Sequence, residues 1–113
     1  AAGGSTVGVL RAAKETNMFA IGVDSNQNGL YPGYVLTSLV KRVDVAVYET
    51  LKSCTDSTWK SGILYLGLKE GALDYAVDTY NRHLISESLI EAVSAAKDRV
   101  MNGSLVVDSY TGK

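Results

Sequence analysis

Apolar residues recur along the chain in two ways, at the 3.6-residue period of an amphipathic helix or in short unbroken runs typical of strands. The helical period predicts three helices: residues 7–17, Lys41 to Cys54, and Ser88 to a glycine stop at Gly103. Short apolar runs predict strands at 19–23, 34–39, 63–68, 73–77 and 104–108. Strands and helices alternate, and this order indicates an α/β fold.

Each predicted helix has one apolar face, which we expect to be buried. The three faces comprise Val7, Leu10 and Ala13; Val43, Val47, Leu51 and Cys54; and Leu89, Val93, Ala96 and Val100. Ser88 and Glu91 form a capping-box pattern at the start of the last helix. The run 19–23 is nearly all apolar, which predicts a parallel strand buried on both faces.

A polar loop, residues 24–33, follows this strand and begins with Asp24. A carboxylate at the C-terminal tip of a strand lies where α/β sheets bind ligands, and its two oxygens suit a vicinal diol. A turn-capping aspartate gives the same pattern, so both interpretations stay open. Asp24 to Gly29 also matches the first half of a calcium loop, but Val35 occupies the position of the bidentate glutamate. We therefore do not expect calcium binding.

Two glycines, Gly3 and Gly4, precede the first predicted helix. Backbone N–H groups at such a position bind anions or hydroxyls, although a plain turn between strand and helix has the same sequence. Lys41 and Arg42 stand at the predicted start of the second helix, where the helix dipole disfavours cations. We therefore expect another interaction to require a lysine at position 41.

The composition excludes several classes of protein. The 113 residues carry a net charge of −1, which argues against a nucleic-acid binder. No apolar run approaches the ~18–20 residues that span a bilayer, and the single Cys54 excludes an internal disulfide or a zinc cluster. Cys54 is expected to be a small buried side chain. His83 has no partner at metal-ligand spacing, and no catalytic set emerges.

The length suits one small domain. The chain, however, opens in a loop that should follow a strand, so we expect a fragment of a longer protein.

Residues 21–27, Ile-Gly-Val-Asp-Ser-Asn-Gln, and residues 35–48, which contain Lys-Arg-Val-Asp, closely resemble the basic membrane protein family. Members of that family are the nucleoside-binding lipoproteins of bacterial ABC importers. Residues 1–15, 65–71 and 101–103 resemble further segments of the family. Essentially the whole chain is thus similar to the C-terminal third of a family member.

The resemblance implies a type I periplasmic-binding-protein fold, in which two Rossmann-like α/β lobes close on a ligand. It places residues 1–27 at the end of the C-terminal lobe, 28–62 in the return into the N-terminal lobe, and 63–113 in crossover strands and the C-terminal helix. It implies that Asp24 holds the ribose hydroxyls and that the Gly3 and Gly4 backbone and Lys41 line the cleft. Asn26 stands where the family commonly has a second aspartate.

The partners that the resemblance implies are a purine nucleoside, an ABC permease and the missing N-terminal part of the protein. A lipid anchor outside this chain would hold the protein at the extracytoplasmic face of a bacterial membrane. We expect no enzymatic activity, cofactor, metal or nucleic acid. Two alternatives remain: a ligand-sensing regulatory protein on the same fold, and an α/β enzyme fragment.

Overall fold

The computed structural model describes residues 3–108, which form an α/β structure. The helices of this part of the chain are α1 (Thr6–Glu15), α2 (Val43–Thr55) and α3 (Glu87–Met101), with short 3-10 turns at Gly3–Ser5 and Arg82–Leu84. The strands are β1 (Ala20–Asp24), β2 (Val35–Lys41) and β3 (Leu73–Tyr75). The predicted α/β class is confirmed.

The three strands form one sheet in the order β1-β2-β3. β1 and β2 are parallel and pair Asp24 with Val40, whereas β2 and β3 are antiparallel and pair Lys41 with Leu73. The carboxyl ends of β1 and β2 therefore lie at the same edge of the sheet. This edge carries the two charged residues, Asp24 and Lys41, that the sequence marked as candidates.

The core of the described residues is small and lies around α1 and β2. Its buried apolar side chains are Leu10, Ala13, Val35, Ala72 and Ile85. α1 packs through Thr6, Leu10 and Ala13, while Val7 is exposed, so the prediction that Val7 belongs to the buried face was wrong. The buried face is rotated by one residue, and the Thr6 hydroxyl donates a hydrogen bond to Gly3 O at 2.8 Å.

Much apolar surface is exposed, contrary to the sequence prediction. The chain exposes 8199 Å², whereas a compact protein of 12.0 kDa exposes about 6,000 Å². On α2 the predicted buried face is open, with Val43, Val47 and Leu51 53–65% exposed, and Cys54 is exposed as well. Helical period identifies an apolar face, but burial also requires an element that packs on it.

Two predicted strands, 63–68 and 104–108, are irregular. Ile63, Tyr65, Val106 and Val107 are all strongly exposed. An apolar run becomes a strand only where a neighbouring strand supplies hydrogen bonds, and in residues 3–108 no fourth strand joins the sheet. β1 is also less buried than expected, since Gly22 is its only fully buried residue.

The ends of α3 agree with the sequence only at the C-terminus. Ser86, and not Ser88, is the N-cap, because its hydroxyl accepts the Leu89 N–H at 3.2 Å. Gly103 follows the C-cap Asn102 with φ +79, as the predicted glycine stop requires. No helix of residues 3–108 is long and apolar enough to cross a bilayer.

Candidate ligand-binding site

Asp24 ends β1 in an unusual backbone conformation. Its φ is +75, and the N–H of Ser25 donates to the carbonyl of Val23 at 3.1 Å. A hydrogen bond from residue i+2 to residue i around a central residue with this φ defines the rare, strained type of γ-turn. Such strain costs of order 1–3 kcal/mol for a residue other than glycine and is concentrated at functional sites. The turn therefore makes Asp24 a candidate functional residue.

Lys41 is the charged partner of Asp24. Its Nζ lies 2.5 Å from Asp24 Oδ1, in an ion pair whose side chains are 57% and 50% exposed, respectively. Lys41 is the last residue of β2 and not the first of a helix, since α2 begins at Val43. The lysine thus avoids the helix dipole, and parallel pairing of the strands places it beside Asp24. The predicted helix start was two residues too early.

The loop after β1 is tied to the segment after β3 by Asp78. Asp78 Oδ2 accepts hydrogen bonds from Asn26 Nδ2 at 2.7 Å and from Asn28 Nδ2 at 3.0 Å. The Asn26 side chain also accepts the Asn28 N–H at 3.0 Å. The asparagines of the calcium-like pattern are therefore used to hold the loop. In residues 3–108 no three His, Cys, Asp or Glu side chains are arranged to bind a metal.

These hydrogen bonds favour the charged form of Asp78. The Asn26 amide is the largest cause, followed in the same direction by the backbone N–H of Tyr80 and the Asn28 amide, and together they lower the pKa of Asp78. The carboxylate therefore stays ionised throughout the neutral pH range.

A second set of hydrogen bonds fixes the same loop to β2. Ser38 is fully buried; its hydroxyl donates to Asn28 Oδ1 at 2.8 Å and accepts the N–H of Gln27 at 3.0 Å. Gln27 Oε1 in turn accepts the N–H of Val23 at 3.3 Å. Gly22 leaves room for this contact, since a Cβ there would lie 2.7 Å from both Gln27 Oε1 and Ser38 Oγ.

The other sequence candidates lie in different places. Gly3 and Gly4 are exposed in the 3-10 turn before α1, with open space where a side chain would begin, and Gly3 has φ +65. Among the described residues, no hydrogen bond or ion pair joins this turn to Asp24 or Lys41. His83 is exposed in the second 3-10 turn. The structure thus brings together Asp24 and Lys41 but shows no contact between them and the glycines.

Sequence reasoning missed Asp78, Ser38 and Asn81. Asn81 is fully buried, and its amide donates to Leu36 O at 2.9 Å and Ala76 O at 2.8 Å. The pattern Asp78-Thr-Tyr-Asn81 is typical of a turn and could have predicted a turn after β3. The contacts of Asp78 with the loop about fifty residues earlier leave no signal in the sequence around Asp78.

The edge formed by Asp24 and Lys41 presents a hydrogen-bond acceptor and a donor of opposite charge to solvent. An ionised carboxylate accepts only, and an ammonium donates only, so the pair can engage hydroxyl groups from both sides. Charge-assisted hydrogen bonds of this kind are the strong ones. The arrangement is suited to binding a polyhydroxylated ligand.

Comparison with known proteins places this chain in a family. Residues 1–108 match the family model Bmp, described as ABC transporter substrate-binding protein PnrA-like. An uncharacterized lipoprotein of Pyrococcus abyssi is 44% identical over 80 residues, which cover 66% of this chain and 20% of that protein. Basic membrane protein D of Borreliella burgdorferi is 34% identical over 111 residues, covering 95% of this chain and 32% of that protein.

Two crystal structures share the fold. An ABC transporter solute-binding protein from Aeropyrum pernix K1 matches with a TM-score of 0.72 and 25% identity over 95% of this chain and 38% of that one. A transcriptional activator of the comK gene from Bacillus halodurans matches with a TM-score of 0.78 and 24% identity over 90% of this chain and 35% of that one.

The chain spans a fifth to about two fifths of these proteins. The fold is consistent with the predicted periplasmic-binding-protein class. The family match over residues 1–108 confirms the predicted resemblance. The chain belongs to the basic membrane protein family of ABC transporter substrate-binding proteins.

Proposed function

We propose that this chain is part of the substrate-binding component of an ABC importer and that its ligand is a nucleoside. The family is one of transport proteins that bind substrates, and not a family of enzymes. The observation that carries the nucleoside assignment is the strained turn that presents Asp24 beside Lys41 at the carboxyl edge of β1 and β2. In α/β sheets this edge is the usual place of ligands.

The chemistry of the pair fits a ribose. The two carboxylate oxygens of Asp24 accept the 2′ and 3′ hydroxyl protons, while the Lys41 ammonium donates to a hydroxyl oxygen. The ion pair already holds one carboxylate oxygen in place at 2.5 Å, so the acceptor is oriented before the ligand arrives. Preorganisation of this kind lowers the entropic cost of binding.

The remaining parts of the proposal concern the complete protein. The Gly3 and Gly4 backbone lines the same cleft, and a second lobe closes over the nucleoside because the ligand binds the closed form more tightly. The division into residues 1–27, 28–62 and 63–113 remains a prediction. Relatives are named lipoproteins and basic membrane proteins, which supports a lipid-anchored protein outside the cytoplasmic membrane that delivers its ligand to a permease.

Calorimetric titration of the complete protein with adenosine and 2′-deoxyadenosine tests this function. A hydrogen bond to a charged group is worth about 1.5–3 kcal/mol, so Asp24→Asn should weaken adenosine binding at least about tenfold. The same variant should also remove most of the preference for adenosine over the deoxynucleoside. Guanosine, cytidine and uridine are titrated in parallel, since the base preference is open.

Asp56→Asn is the matched control, because Asp56 is an exposed aspartate that caps the turn after α2 through the Thr58 N–H at 3.0 Å. It should leave both affinities unchanged. Equal adenosine affinity for the wild-type protein and Asp24→Asn would disprove the role of Asp24. Failure of the wild-type protein to bind any of these nucleosides would disprove the nucleoside assignment.

A further inference from the structure

Asp78 is fixed relative to the sheet by its own turn. Its N–H donates to Asn81 Oδ1 at 2.8 Å, and its Oδ1 accepts the N–H of Tyr80 at 2.8 Å. Asn81 is itself fully buried and hydrogen-bonded to the backbone of Leu36 and Ala76. The Asp78 carboxylate is therefore a rigid acceptor.

The other oxygen of that carboxylate, Oδ2, binds the loop that follows Asp24. Asp78 Oδ2 accepts both asparagine amides, from Asn26 and Asn28. Asn28 is fully buried, so the orientation of its amide is determined by these partners: Nδ2 donates to Asp78 and Oδ1 accepts from Ser38. One carboxylate oxygen thus binds the side chains of two loop residues.

From Asn28 the hydrogen bonds continue without a gap to the residue before Asp24. Ser38 Oγ joins Asn28 Oδ1 to the Gln27 N–H, and Gln27 Oε1 accepts the N–H of Val23. The carbonyl of Val23 accepts the Ser25 N–H that closes the strained turn. A continuous series of hydrogen-bonded residues therefore connects Asp78 with the turn of Asp24.

We propose that Asp78 is a positioning residue for ligand binding, which holds the strained turn of Asp24 through the amides of Asn26 and Asn28. This inference rests on the proposed role of Asp24 in binding the ribose. Loss of the Asp78 contacts lets the turn relax, because a residue other than glycine keeps a positive φ only where its surroundings impose it. Asp24 then no longer points its carboxylate to the diol.

Asparagine cannot replace Asp78. Both carboxylate oxygens act as acceptors, Oδ1 for the Tyr80 N–H and Oδ2 for the two amides. Asparagine has one acceptor and one donor at these positions, so Asp78→Asn sets its NH₂ group against other donors. The substitution preserves size and shape, and its effect therefore reports on hydrogen bonding.

Reversing the hydrogen bond gives a rescue test. Asn26→Asp alone places two carboxylates at hydrogen-bond distance, whereas Asn26→Asp with Asp78→Asn restores a donor and an acceptor in the opposite direction. In titrations of the complete protein, each single variant should reduce the adenosine over 2′-deoxyadenosine preference at least about fivefold. The double variant should recover part of that preference, because the amide introduced at position 78 still faces the Asn28 Nδ2 donor.

General destabilisation weakens binding of both nucleosides equally, so the preference distinguishes a positioning role from a purely structural one. If Asp78→Asn keeps the wild-type preference while Asp24→Asn loses it, the positioning role is overturned and the proposed function stands. If the double variant is no better than the single variants, the direct pairing of Asn26 with Asp78 is overturned.

Hydrogen exchange at the Ser25 amide of the ligand-free protein tests the inference without any nucleoside. Asp78→Asn should speed this exchange at least about tenfold, and the double variant should slow it again. Unchanged exchange would overturn the inference even if Asp24 fails to bind ribose. Should Asp78→Asn not fold, Asn26→Ala gives the same readouts, because Asn26 is exposed and its removal leaves the core intact.

Discussion

Lys41 and Asp24 come from the carboxyl ends of two neighbouring parallel strands, and their charged groups lie 2.5 Å apart. Seventeen positions separate them in the sequence. Strand register, and not local sequence, brings them together: Asp24 pairs with Val40, and Lys41 is the next residue of β2. The pair is exposed, so its value for folding is small, typically about 0–1 kcal/mol. The role that we propose for the pair is therefore in ligand binding and not in folding.

Replacing Lys41 by glutamine should separate binding from stability. The variant loses the charge-assisted contact with Asp24 and the donor proposed for the ribose, so nucleoside affinity of the complete protein should fall about tenfold. The melting temperature should remain close to that of the wild type, because the ion pair is exposed. Calorimetric titration measures the nucleoside affinity, and thermal denaturation measures the melting temperature.

Arg11→Gln is the matched control, since it breaks another exposed ion pair, to Glu15 at 2.8 Å, on the surface of α1. It should change neither the affinity nor the melting temperature. Wild-type affinity in Lys41→Gln would show that the lysine has no part in binding.

Gly22 is a position at which an added side chain should destabilise the protein. A Cβ there would lie 2.7 Å from Gln27 Oε1 and Ser38 Oγ, so Gly22→Ala must displace the hydrogen bonds that hold the loop. Overpacking of this kind typically costs about 1–3 kcal/mol of unfolding free energy. Urea denaturation of the complete protein measures this loss.

Gly8→Ala makes the same chemical change in an open position. Gly8 lies inside α1 with no atom within 4 Å of an added Cβ, and alanine is favoured over glycine in a helix by about 0.5–1 kcal/mol. We expect this variant to be as stable as the wild type or more so. Equal stability of the two alanine variants would contradict the close contact at Gly22.

The sequence was informative where one element alone determines the outcome. A short apolar run ending in a polar loop predicted β1 with Asp24 at its tip, and a glycine stop predicted the end of α3. The sequence predicted Lys41 at the start of a helix, but the structure has it at the end of β2. This difference arises because the place of Lys41 in β2 depends on pairing with β1. The run 63–68 has the composition of a strand but has no neighbouring strand in the described residues.

The candidate site likewise contains one residue that the local sequence predicts and another that depends on distant contacts. Asp24 could be proposed from its position at a strand end, whereas Asp78 could not, since its contacts with Asn26 and Asn28 span 52 and 50 positions. Asparagine and aspartate are common in turns, and nothing in a single sequence indicates which distant turn they contact. The calcium-like pattern illustrates this limit, because the same residues serve a hydrogen-bonded loop.

The open face of α2 predicts the behaviour of the 113-residue chain by itself. Val47 and Leu51 are 53% and 62% exposed, and exposed apolar surface binds the dye ANS. Replacing both by glutamine should lower the ANS fluorescence clearly while the helical circular dichroism stays constant. These side chains contribute little packing that could be lost.

Leu10→Gln is the contrasting variant, because Leu10 is fully buried in the core. A polar side chain there should raise ANS fluorescence and reduce the helical signal. Unchanged fluorescence in the α2 double variant would mean that the face is covered in solution.

Acid should destabilise the fold through Asp78. Its pKa is lowered first by the Asn26 amide, then by the Tyr80 N–H and the Asn28 amide, whereas an aspartate in the unfolded chain titrates near about 3.9. Below that value the unfolded chain binds more protons than the folded one, so the free energy of unfolding falls as the pH falls. The stabilisation is complete above about pH 5 and is lost as the pH drops through the lower folded pKa of Asp78. Urea denaturation between pH 6 and pH 2.5 should show this decline.

Asn26→Ala removes the largest cause of the pKa shift of Asp78 and should flatten this decline in the free energy of unfolding, and Asp78→Asn should flatten it further. A decline of equal size in all three proteins would mean that other carboxylates control the acid sensitivity.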